Sequence, residues 1–127
     1  MSKKETPLTR KFWKEVGGTL VEEFHAVRRG PDRGPRLLDG VIVLGGPHCI
    51  AKTKEVDVEG EDIIVVQTKA NRLGMYLLGQ ALFSRELMKP FRPKSIETVA
   101  ICTKGDSVLE PIAESYGIRV VVYQQNP

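Results

Sequence analysis

The run "DIIVVQTK", residues 62–69, constrains the fold more than any other stretch. Strand side chains alternate, so Ile63 and Val65 lie on one face and Ile64 and Val66 on the other. Both faces are apolar, which suits a strand in the middle of a sheet with helices packed on each side. Two later runs have the same character, "IETVAICT" (96–103) and "GIRVVVY" (117–123). The segment between them places Pro111 near the first turn of a helix, giving a β-α-β unit with parallel strands.

The other elements follow from periodicity and turn chemistry. "TRKFWKEV" (9–16) allows a short helix with Phe12, Trp13 and Val16 on one side, closed by Gly17 and Gly18; residues 1–8 read as a flexible basic arm ahead of a single domain, 9–127. "TLVEEFHAVR" (19–28) is rich in strand formers, "RGPDRGP" (29–35) is a turn, and "RLLDGVIVLGG" (36–46) returns as the second arm of a hairpin. A further strand is expected within residues 48–58. From Arg72 to Met88 apolar residues recur at helical spacing until Pro90. The predicted order is α-β-β-β-α-β-α-β with the segment within 48–58 as one extra short strand, an α/β fold with a central mixed β-sheet flanked by helices.

Composition narrows the setting. A chain of 127 residues, 41% hydrophobic and 28% charged, can bury a core without disulfides. It holds no run near the ~18 apolar residues that span a bilayer. Its first residues, "MSKKETPLTRK", lack the apolar core of a secretory signal, so a cytoplasmic location is expected. Cys49 and Cys102 show no metal-ligand spacing and are expected as buried free thiols. A net charge of +3 is modest, but its distribution is uneven: Arg28, Arg29, Arg33 and Arg36 crowd the hairpin, with Asp32 as the acid among them. A solvated turn would look like this, and so would a set of bidentate phosphate contacts. Lys3, Lys4, Arg10, Lys11 and Lys14 could extend the patch.

Three residues carry candidate chemistry. Gln67 and Lys69 stand where the central strand runs out, the place where α/β sheets usually present functional groups. Asp39 interrupts an apolar run, and aspartate is a poor strand former that is rarely buried without a partner cation. On the strand "TLVEEFHAVR", Leu20, Glu22, Phe24 and Ala26 share one parity, so Glu22 interrupts the more apolar face and is the candidate third acid. Asp39, Gln67 and Lys69 are expected to converge in one cleft.

An acid on one strand, followed by an acid or amide two positions before a lysine on a later strand, resembles the PD-(D/E)XK nuclease superfamily. The motif here is Asp39 with Gln67-Thr68-Lys69, on elements in the order of a restriction-endonuclease-like αβββαβ core with an added αβ; within the superfamily the chain looks most like the small Holliday junction resolvases and Mrr-like domains. That resemblance implies metal-dependent hydrolysis of DNA phosphodiesters. Asp39, Gln67 and the Thr68 carbonyl would hold Mg²⁺ or Mn²⁺, and Lys69 would orient the attacking water or steady the developing charge. Glu15, on the first helix, and Glu23 compete with Glu22 for the place of the third acid. The implied partner is duplex or branched DNA, and a homodimer is an expected assembly. The sequence departs from the family at Gln67, where most members carry Glu or Asp. A non-catalytic nucleic-acid-binding or assembly module on the same fold is therefore the alternative. A third reading takes "CTKGDS" (102–107) as a phosphate-binding turn before a helix.

Overall fold

The structure is a computed structural model that describes residues 1–125. Helix α1 (Glu5–Val16) precedes strands β1 (Thr19–Val27) and β2 (Arg36–Val43), the two-residue β3 (Ile50–Ala51) and β4 (Asp62–Thr68); α2 (Met75–Met88), β5 (Ser95–Cys102), α3 (Leu109–Ser115) and β6 (Ile118–Val122) follow. The six strands form one mixed sheet in the order β3-β1-β2-β4-β5-β6. β1 and β2 pair antiparallel, β2 and β4 antiparallel, and β4, β5 and β6 run parallel. The α/β architecture with a mixed central sheet is as the periodicity predicts. Among the described residues, no helix is long and apolar enough to cross a membrane.

The alternation of β4 decides how the layers pack. Ile64 and Val66 join Leu8, Phe12 and Trp13 of α1 in one core, with Leu20, Ile42, Val99 and Ile101. Ile63 and Val65 join Met88 of α2 in a second core with Val21, Phe24, Leu38 and Val41. Leu77 and Ala81 of α2 close a third against Ala100, Cys102 and Ala113. Helix α1 thus covers one face of the sheet, and α2 and α3 cover the other.

Four expectations change. Helix α1 begins at Glu5 rather than Thr9, and Leu8 is buried, so residues 5–8 belong to the packed body rather than to a flexible arm. The strand expected within 48–58 shrinks to Ile50–Ala51, parallel to β1, followed by a single 3-10 turn, Thr53–Glu55. Cys102 is buried but Cys49 is exposed, because the segment before β3 lies outside the core. Strict alternation also fails on β1, where Val21 and Phe24 share one core: Glu23 between them has a left-handed backbone, φ 54°, which resets the strand's parity.

Candidate functional site

Antiparallel pairing sets the start of β2 beside the end of β4. The ladder between them ends at Gly40↔Val66. One residue further the strands part, and the Asp39 side chain takes over from the backbone: the Thr68 N–H donates to Asp39 Oδ2 at 2.9 Å. Gly40 makes room for α1 at this point, since a Cβ there would stand 3.2 Å from Leu20 Cδ1 and 3.4 Å from Thr9 Cγ2. Thr9, buried on α1, meets Thr68 hydroxyl to hydroxyl at 2.7 Å, and its Oγ1 also lies 3.2 Å from the Glu5 carbonyl.

Charge gathers around this fork. Met1's ammonium donates to Glu23 Oε1, and Glu23 sits across from Asp39 in the β1–β2 register. Burial raises the Asp39 pKa above its ordinary value; the Thr68 N–H and the Met1 ammonium work against that rise, while Glu5 and Glu23 add to it. For Glu5, burial opposes ionisation, but hydrogen bonds from Ser2 and the charge of Lys69 outweigh it and leave the pKa lowered. Glu5, Glu23, Asp39 and Lys69 are thus electrostatic neighbours at one end of the sheet. Among the described residues, no three His, Cys, Asp or Glu side chains are arranged to hold a metal ion together.

Gln67 does not join this cluster. It follows Ile63 and Val65 onto the face that α2 covers, is buried, and its Nε2 donates to Ser84 Oγ of α2 at 2.7 Å. The expected convergence of Asp39, Gln67 and Lys69 fails at Gln67, because strand alternation turns its amide toward α2 while Asp39 bonds the Thr68 N–H on the α1 side. The Gln67 amide is not available to the metal set that the motif implied. Glu22 is also elsewhere: its carboxylate accepts two bonds from Arg10 of α1, both 2.9 Å. Glu15 accepts from the Tyr123 hydroxyl at 3.0 Å; that phenol is pushed up to about 12 by burial and by the Glu15 carboxylate.

Lys69 lines a groove of about 440 Å³ with Asn71, Arg72, Gly74, Tyr76 and Leu77. Its Nζ lies 5.7 Å from the Tyr76 ring centroid, over an aromatic face that attracts cations. The groove wall is fixed, since the Thr103 N–H donates to Asn71 O at 3.0 Å and the Leu73 N–H to Lys104 O at 2.8 Å, prolonging the β4–β5 ladder.

The arginine hairpin joins β1 to β2 at the same end of the sheet. Arg28, Arg29, Arg33 and Arg36 are all exposed. Gly30 and Arg33 exchange backbone bonds that close the turn, and Arg33 Nε donates to Arg28 O at 3.2 Å. Arg36 begins β2 three positions from Asp39, so roughly 10 Å of strand separates the basic tip from the acid.

The "CTKGDS" turn does not fit a phosphate. Asp106 Oδ1 accepts the N–H groups of Val108 and Leu109, both at 3.0 Å, and Glu110 Oε2 accepts that of Asp106 at 2.9 Å. Two carboxylates thus occupy the donors that a nucleotide would need.

Sequence reasoning missed two participants, Glu5 and Ser84. Glu5 fell within residues set aside as an arm, although Glu5, Leu8 and Phe12 are spaced as one helix face. Ser84 shares the buried stripe of α2 with Leu77, Ala81 and Met88, and a hydroxyl there needs a polar partner on the sheet. Compared with known proteins, the chain matches no family model, no curated protein and no solved structure.

Proposed function

We propose that this chain is a non-catalytic nucleic-acid-binding or assembly module on a nuclease-like sheet. The observation that carries this reading is the Gln67–Ser84 bond: the amide at the position of a metal ligand is buried and serves the packing of α2. Asp39, the other expected ligand, holds the Thr68 N–H where β2 and β4 part. Both residues have structural work in the fold without a metal. The exposed arginines of the β1–β2 hairpin supply phosphate contacts, with Lys69 and its groove at the same end of the sheet.

A second reading keeps the enzyme, and the gathering of Glu5, Glu23 and Asp39 near the Met1 ammonium and Lys69 favours it. Carboxylates are the donors that Mg²⁺ prefers. Under this reading the carboxylates would have to rearrange around the ion, since among the described residues no three of them are arranged to hold one together.

Fluorescence anisotropy with duplex and four-way-junction DNA across a salt series tests the module. Replacing Arg28, Arg29 and Arg33 by Ala together is expected to flatten the slope of log affinity against log salt by about 0.9 per lost phosphate contact. An unchanged slope would make the hairpin an ordinary solvated turn. Cleavage of plasmid or junction DNA with Mg²⁺ or Mn²⁺, abolished by Lys69→Ala with binding retained, would establish the enzyme instead.

A further inference from the structure

Helix α2 buries Leu77, Ala81, Ser84 and Met88. Its opposite side bears a seam of Met75, Gly79, Phe83 and Glu86, spaced i, i+4, i+8 and i+11, with Tyr76 beside it. The apolar members are far more exposed than a solvated helix face needs: Met75 77%, Tyr76 73% and Phe83 70%. Ile112 of α3 and Tyr116 at its C-terminal end add to the apolar surface, and Arg85 Nη1 of α2 donates to Tyr116 O at 2.7 Å, tying α2 to the end of α3.

Gly79 gives this face its meaning. Glycine is disfavoured inside a helix relative to alanine. Nothing lies within 4 Å of the place a Cβ would occupy at Gly79, so no contact within the chain calls for it. A glycine at the centre of an exposed apolar seam suits the close approach of another backbone.

We infer that a second copy of this chain packs on that seam, the two α2 helices crossing antiparallel about a two-fold axis at Gly79. The charges favour this occupant and this direction. Two-fold pairing about Gly79 sets Met75 of one copy against Phe83 of the other, and Glu86 of one beyond the α2 N-terminus of the other, toward Arg72. That N-terminus has no side-chain cap and no acidic residue in its first turn, so a carboxylate from outside complements its dipole. Arg72 enters none of the ion pairs among the described residues. Glu86 is exposed, with Lys89 at 2.9 Å and Arg85 at 3.5 Å, and so can reach across. The two-fold makes each complementary contact occur twice.

Sedimentation equilibrium of the full chain over a range of concentrations tests the inference. Wild type is expected to form a dimer. Gly79→Leu, which spaces the helices at their crossing, is expected to raise the dissociation constant on the order of 100-fold. The same change should raise the urea midpoint of the dilute monomer, because leucine favours helix and meets open space. Arg72→Glu alone should weaken the dimer, and adding Glu86→Arg should restore it. A wild type that stays monomeric at about 1 mM, well above the Kd of a weak dimer, a Gly79→Leu chain that dimerises as tightly as wild type, or a charge swap that restores nothing would each overturn the proposed packing. Should Gly79→Leu fail to fold, Phe83→Ser at the same seam reads the same contact.

Discussion

Gln67 and Thr68 are consecutive on β4, yet their surroundings differ in kind. On the α2 face, Gln67 and Ser84 are both buried and bonded to each other. On the α1 face, Thr68 meets Thr9, but the polar surroundings continue outward through Asp39, Glu23, Glu5 and Lys69, none of them fully buried. A polar pair sealed within a core orients its helix against the sheet, and leaving either partner alone costs stability. A charged cluster open to solvent can exchange one cation or anion for another. The motif "QTK" spans both environments, which is why its spacing resembles a catalytic pattern while its middle and first residues face opposite helices.

Breaking the closed side should have the largest effect. Gln67→Ala removes a buried side chain and strands the Ser84 hydroxyl, and is expected to lower the unfolding free energy by about 2–4 kcal/mol in urea titrations. An unchanged midpoint would mean that the pair contributes nothing to the packing of α2. On the open side, Thr68→Val is expected to cost only about 1 kcal/mol, because the Thr9 hydroxyl keeps the Glu5 carbonyl as acceptor. A double-mutant cycle with Thr9→Val should show coupling between the two sites, as for groups in direct contact.

The element order, the layers and the central place of β4 were legible because they rest on apolar periodicity, which is local. The site was legible only in part. Asp39 stands out as a carboxylate in an apolar run, and the structure does give it a specific backbone partner across the fork. Glu22 and Glu23 could not be told apart from alternation, because the left-handed backbone of Glu23 breaks the parity that alternation assumes. Ser84 gives Gln67 its role, and that pairing depends on how α2 docks on the sheet. No spacing within either segment carries that information.

Asp39 sharpens the comparison through pH. Burial raises its pKa above the ordinary 3.8, so the folded chain binds more protons than the unfolded one in the interval just above that value. Stability therefore falls as pH rises through the interval, and the cost is fully present at neutral pH. Asp39→Asn, which can still accept the Thr68 N–H, is expected to raise the urea midpoint at pH 7, and the gain should vanish as pH falls below 3.8. A gain independent of pH would point to a packing effect instead. The smallest effect on stability belongs to the hairpin: replacing Arg28, Arg29 and Arg33 together should change the unfolding free energy by roughly 0.5 kcal/mol or less, since all three are exposed.

The most direct test of the central claim, that Gln67 belongs to the fold and not to a metal site, is the unfolding midpoint of Gln67→Glu with and without Mn²⁺. A carboxylate buried against Ser84 should lower the midpoint at neutral pH and lose that penalty as pH falls and the group is protonated. Added Mn²⁺ should shift the Gln67→Glu midpoint no further than it shifts that of wild type. If Mn²⁺ instead stabilises Gln67→Glu well beyond wild type, the ion binds the new carboxylate in the folded chain, and Gln67 stands in a metal site after all.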